Sequence, residues 1–384
     1  MADADFSLMD LPRTQPVGDP QAYLQAAVQW HFSPETGSPY WLDRAKTLDF
    51  NPLTDVKSFE DLAMFPNIVD ELRDVPVRDL VPAGYGRELV VTGYGRDFVP
   101  KGYYPDPPTP TIYESGGTTG APKRVVLLPD WEQQMVAWQA AELLEQPGLR
   151  DGGLLMIGPS GPHIFGQLQR GLAAALNLAL FTIDLDPRWV KKLVARGAVD
   201  EVAAYLDHIV EQAGYILRTQ DVTLLVTTPP LLQAIARRDD LVDVINATVV
   251  RIQVAGAHLD EDTRDILRGI FPNATLHNGF GSTMILGGVP TRQPLSEGDP
   301  VIFDARSPYI TFFVTDPATG RRVPFGERGQ VVMNHISKSM FLPNNLERDT
   351  AVRVAGPGGQ VGDSLCEVKP VDTFAGEAVI EGVY

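Results

Sequence analysis

Residues 113–124 read YESGGTTGAPKR. A loop of this kind exposes backbone N–H groups and short hydroxyl donors with little side-chain bulk, and Lys123 adds positive charge. That chemistry suits a polyphosphate. The spacing is not that of the nucleotide P-loop, which needs Gly-Lys-Ser/Thr in a row; here Ala121 and Pro122 separate Gly120 from Lys123. On composition alone a plain flexible turn fits the stretch equally well. Two further turns carry polar or glycine-rich residues after apolar runs: "VAGAHLD" around Gly256 and Ala257, and "NGFGSTM" from Asn278 to Met284. "GPSGPHIFG" places His163 at the start of another helical run, where it could equally be a helix-start residue with no chemical task.

The elements around these residues alternate. "GGLLMIGPS", "LALFTIDL", "VTLLVTT", "VVRIQVAGA" and "NATLHNGFG" read as short apolar strands. Between them lie helical patterns such as "VDEVAAYLDHIVEQAGYILRTQ", whose stripe Val202, Leu206, Val210 and Ile216 reads as core. Strands separated by helices imply an α/β fold with a parallel-rich sheet flanked by helices. In such sheets ligands sit beyond the C-terminal strand ends, where the two glycine-bearing turns fall. From about residue 299 the pattern becomes strand-rich, and "DPATGRRVPFGERGQ" reads as turn, strand and turn. The expected division is therefore an α/β core over 1–298 and a smaller β-rich subdomain with tail over 299–384.

The order of residues in "SGGTTGAPK" resembles the phosphate-binding loop of the ANL superfamily of adenylate-forming enzymes, which includes acyl-CoA synthetases, peptide-synthetase adenylation domains and luciferases. The resemblance implies that Ser115, Gly117, Thr118, Thr119, Gly120 and Lys123 contact the phosphates of ATP. "VAGAHLD" is similar to the family's adenine-lining turn, which implicates Gly256 and Ala257. "NGFGSTM" is similar to its Asn-x-Tyr-Gly-x-Thr-Glu motif. Phe280 would then stack on adenine, Asn278 and Gly281 would line the pocket, and Thr283 would face the α-phosphate. His163 falls where the family places a residue beside the substrate carboxylate. "LERDTAVRV" resembles the late Arg-x-x-Asp segment, so Asp349 would hold the ribose hydroxyls. Lys123, Thr119, Thr283 and His163 become the expected catalytic set. The activity implied is ATP-dependent activation of a small-molecule carboxylic acid to an acyl-adenylate.

Two departures qualify this. Met284 stands where the family has a magnesium-binding glutamate, and a thioether is a poor ligand for a hard cation that prefers oxygen. The resemblance still implies Mg2+ beside ATP, so that either the phosphates and water alone hold it, or a nearby acid substitutes for the glutamate, or adenylation is weak. Only 35 residues (384 − 349) follow Asp349, so the family's mobile C-terminal domain, roughly a hundred residues, is expected to be absent. With the opening "WHFSPETGSPYWL", this looks like the stand-alone adenylate-forming proteins of phenazine antibiotic biosynthesis, which implies an aryl carboxylate and a separate reductase or acyl-acceptor enzyme. A nucleotide- or acyl-adenylate-binding protein with little catalysis of its own, and a shortened acyl-CoA ligase, stay open as alternatives, as does a homodimer.

A formal charge of −17 disfavours nucleic acid and anionic membranes as partners. Cys366, the single cysteine, cannot form an internal disulfide. The acidic, proline-containing N-terminus is unlike a secretion signal, and a cytoplasmic location is expected.

Overall fold

A two-stranded antiparallel hairpin, β1 (Thr111–Glu114) and β2 (Arg124–Leu127), brackets the glycine-rich loop. The computed structural model describes residues 5–13, 15–85, 110–115, 122–293, 295, 298–371, 373–374 and 377–378.

Beyond the hairpin the chain builds a six-stranded sheet. Its strands are β3 (Gly153–Gly158), β4 (Leu180–Asp184), β5 (Val222–Thr227), β6 (Arg251–Val254), β7 (Thr275–Ser282) and β8 (Gly287–Pro290), in the order β4-β3-β5-β6-β7-β8. The first five run parallel; β8 turns back antiparallel to β7. Every residue of β3 and β5 is buried, as expected for strands covered on both faces. One face packs Leu154, Met156, Leu224 and Val226 against helices Pro129–Leu143 and Ile164–Leu176. The other packs Leu155, Leu225, Ile252 and Val254 against helices that include Val199–Thr219 and Glu261–Ile270. Along Val199–Thr219, Val210 is buried, while Val202, Leu206 and Ile216 are partly buried against the same core.

Helix starts are fixed locally. Asp186 accepts from the Arg188 and Trp189 amides ahead of Pro187–Ala195, and Asp260 accepts from the Thr263 amide ahead of Glu261–Ile270.

The C-terminal region forms a five-stranded antiparallel sheet from β9 (Ile302–Phe303), β10 (Ile310–Thr315), β11 (Arg328–Ile336), β12 (Phe341–Ala355) and β13 (Asp363–Pro370), followed by a short β14–β15 hairpin (Thr373–Phe374, Glu377–Ala378). The strand expected inside "DPATGRRVPFGERGQ" reduces to one bridge, Thr315 to Arg322. Asp316 accepts from the Ala318 and Thr319 amides and tightens the turn. Arg322 is drawn to Asp363, and Pro324 has no N–H to extend a ladder.

The N-terminal helices pack onto this second sheet and share its core. Tyr23 Oη donates to the Ile336 carbonyl at 2.8 Å, Trp30 Nε1 to Lys338 at 2.9 Å, and Trp41 Nε1 to Phe341 at 2.8 Å. Three buried aromatic groups thereby satisfy carbonyls around the β11–β12 turn while burying large apolar area.

Candidate active site

The hairpin closes its loop with a reciprocal pair. The Ser115 amide donates to the Lys123 carbonyl at 2.9 Å, and the Lys123 amide donates to Ser115 Oγ at 3.0 Å. Gly117, Thr118, Thr119 and Gly120 lie outside the described residues. The base of the loop is anchored on two sides. The Glu114 amide donates to the Pro162 carbonyl at 3.0 Å, and the Glu114 carboxylate pairs with Arg124 at 3.2 Å and Arg188 at 2.6 Å. These contacts fix the base of the hairpin against Pro162, the residue before His163. Lys123 Nζ meets Asp70 at 3.1 Å, and burial lowers the lysine pKa while Asp70 opposes the shift.

The strand ends supply the opposite wall. Gly256, just past β6, has φ +88°, a conformation that favours glycine. On β7, Gly281 faces Gly288 of β8, and a Cβ at Gly281 would lie 2.4 Å from the Gly287 carbonyl oxygen. Phe280 is partly buried, with its ring 5.5 Å from Phe303. The turn Thr283–Ile285 is held from behind. Trp131 Nε1 donates to the Leu286 carbonyl at 2.8 Å, and His335 Nδ1 donates to the Ile285 carbonyl at 2.5 Å. The neutral His335 ring then accepts from Ser337 Oγ at 2.7 Å through Nε2. Burial pushes the His335 pKa down to about 3, consistent with a permanently neutral ring.

These parts converge. Ser115, Lys123, His163, Gly256 and Ala257 line one cleft of about 740 Å³. Asn278, Phe280, Gly281, Thr283 and, from β12, Asp349 line the same cleft. His163 precedes helix Ile164–Leu176; burial first, then Arg188, lowers its pKa, so it is a neutral hydrogen-bonding group at pH 7. Met284 also reaches the cleft wall but is 5% exposed and packed in the apolar core. A buried thioether does not suit magnesium at this position. Among the described residues no cluster of three His, Cys, Asp or Glu is arranged for a metal.

Other cleft residues escaped the motif reading: Arg251, Gln253 and His277 on the sheet face, and Gln169 and Thr228 around them. For Arg251, Gln253 and His277 the available signal was a polar residue inside a strand expected to be apolar on both sides. Cys366 is buried on β13, which raises its pKa and leaves it a poor nucleophile.

The helix-flanked parallel sheet beside an antiparallel second sheet is similar to the fold of solved adenylate-forming ligases. In particular, 2-hydroxyisobutyryl-CoA ligase in the postadenylation state with 2-HIB-AMP superposes with a TM-score of 0.59 at 16% identity, over 99% of this chain and 74% of that one. The same ligase with R3-HIB-AMP gives a TM-score of 0.57 at 17% identity, over 94% and 69%. In sequence, 4-coumarate–CoA ligase 1 from Glycine max is 26% identical over 121 residues, 30% of this chain. The chain thus matches only 41% of the length of that curated relative. No family model matches. No helix among the described residues is long and apolar enough to cross a membrane.

Proposed function

We propose that this chain binds ATP in the cleft and activates a carboxylic acid as its acyl-adenylate, releasing pyrophosphate. The observation that carries this reading is the convergence on one cleft of the clamped Ser115–Lys123 loop, the β6 and β7 strand ends and Asp349. Phosphates would lie on the loop amides and Lys123, adenine between the Gly256–Ala257 turn and Phe280, and ribose at Asp349. The substrate carboxylate, oriented by neutral His163, attacks the α-phosphorus. An acyl C–O–P linkage forms as the bond from the α-phosphorus to the bridging oxygen breaks, and pyrophosphate leaves with that electron pair. Thr283 and the loop donors, Thr119 among them, stabilise the charge on the pentacoordinate α-phosphoryl group. No protein nucleophile is needed.

An aryl acid is the substrate class suggested by the likeness of "WHFSPETGSPYWL" to phenazine-pathway proteins. Mass-spectrometric detection of an acyl-adenylate from ATP and an aryl acid tests the proposal, with coenzyme A added in a parallel arm to separate free adenylate formation from thioester synthesis. Met284 favours a second reading, in which the chain binds nucleotide or adenylate and a partner completes the reaction. Measurable ATP binding without acyl-adenylate from any acid would support that instead.

A further inference from the structure

We propose that Arg73 is a second phosphate-binding cation beside Lys123. The Asp70 carboxylate that bridges the two is an internal stand-in for a phosphate group, displaced when a triphosphate or pyrophosphate enters. The inference rests on the ATP-binding reading above and adds residues that meet the terminal phosphates.

Arg73 ends the short 3-10 turn Glu71–Arg73, which is tied to β2 where Arg124 Nη1 donates to the Arg73 carbonyl at 3.3 Å. No sequence motif marks this turn, yet Arg73 lines the cleft together with Ser115 and Lys123. Arg73 Nη1 and Lys123 Nζ converge on one atom, Asp70 Oδ1, at 2.8 and 3.1 Å. The two cations are recessed, with side chains 22% and 15% exposed, while the carboxylate over them is 69% exposed. An exposed anion on a floor of two recessed cations is the arrangement that a phosphate oxygen takes.

The carboxylate has no other structural task. Asp70 stands at the N-terminal position of the turn, where an aspartate ordinarily accepts from a main-chain amide, but its side chain caps nothing. Among the described residues that side chain meets only Arg73 and Lys123. With no anion between them the cations would repel. Burial is the first cause that lowers the Lys123 pKa; Asp70 opposes the shift and Arg73 adds to it. Asp70 therefore keeps the pair together until a stronger anion arrives. An exposed ion pair contributes little, so turning this carboxylate into water costs little. A phosphate group brings more charge and several acceptor oxygens, and a guanidinium can take two of them at once. In a chain of formal charge −17, such a local pocket is what admits an anion. AMP lacks the phosphates that would reach the pair and serves as the internal control.

The test is calorimetric titration of ATP, AMP and pyrophosphate into the wild type and into Arg73→Gln, Arg73→Lys and Asp70→Asn. Arg73→Gln should weaken ATP and pyrophosphate binding by about ten- to a hundredfold, the range of one charge-assisted hydrogen bond, and change AMP binding by less than about twofold. Arg73→Lys should recover part of the loss. Asp70→Asn should tighten ATP and pyrophosphate by about two- to fivefold, with AMP again unmoved. Unchanged ATP affinity in Arg73→Gln, or equal losses for ATP and AMP, would overturn the assignment and leave the nucleotide site standing. Should Arg73→Gln not fold, Asp70→Asn decides: an unaltered ratio of ATP to AMP affinity overturns the inference. Wild-type protein that binds neither nucleotide would overturn the ATP reading and the inference together.

Discussion

Ser115 and Lys123 hold each other through paired main-chain and hydroxyl contacts of 2.9 and 3.0 Å across a separation of eight residues. The pair converts a glycine-rich segment into a loop with fixed ends, so that fewer conformations are lost when a ligand orders it. Ser115→Ala keeps the backbone half of the clasp and removes the hydroxyl half. ATP affinity should fall by about fivefold, the equivalent of roughly 1 kcal/mol, with little change in Tm. Calorimetric titration checks this; unchanged affinity would mean the clasp has no part in nucleotide binding.

Asp70 sits 3.1 Å from Lys123 Nζ and its side chain is 69% exposed. In the proposed site it competes with phosphate for the ammonium group. Asp70→Asn should tighten ATP binding by about two- to fivefold, since exposed ion pairs are worth up to ~1 kcal/mol, and the gain should shrink in high salt. Weaker binding in that variant would recast Asp70 as the group that positions the lysine.

Glycines 279 and 281 provide a paired control on one strand. A methyl at Gly281 would lie 2.4 Å from the Gly287 carbonyl oxygen and 2.6 Å from the Gly288 Cα, both backbone atoms. At Gly279 the nearest contact is an ordinary 3.8 Å. Gly281→Ala should cost about 1–3 kcal/mol by forcing β7 and β8 apart, whereas Gly279→Ala should leave the denaturation midpoint nearly unmoved. Equal midpoints for the two variants would contradict the β7–β8 register.

Stability should weaken in mild acid. Burial holds His31 down to about 4 and His335 to about 3, from an ordinary value of 6.5. Below pH 6.5 the unfolded chain binds protons that the folded chain refuses. The stability these rings allow is complete above pH 6.5 and drains as pH falls toward 4. The loss for His31 alone is on the order of 3 kcal/mol. Urea midpoints measured from pH 7.5 to 4 should fall across that window; a flat profile would mean the rings are not held neutral.

The alternation of apolar strands with helices was legible because each pattern is local: "GLLMIG" and "VTLLVT" became β3 and β5, buried along their whole length. The glycine-bearing turns around residues 256 and 281 could be placed at the strand ends for the same reason. Arg251, Gln253 and His277 were hidden inside runs that otherwise read as apolar strands, and only the pairing of β6 with β7 shows that they share one face. The docking of the N-terminal helices was equally invisible. Tyr23 reaches Ile336 across 313 residues, and a contact of that range leaves no periodic trace. Thr315 to Arg322 failed as a strand because side-chain pairing at Asp363 and a proline outweighed an extended local pattern.

The account turns on whether the Ser115–Lys123 loop brings ATP into reaction with a carboxylate. Carboxylate-dependent exchange of labelled pyrophosphate into ATP measures that reversal directly, in wild type and in Lys123→Ala. Exchange that requires an added acid and falls by about a hundredfold or more in the variant is the predicted result, in line with the loss of a charge-stabilising donor. Exchange that is absent with every acid, or that is equal in the two proteins, would contradict it.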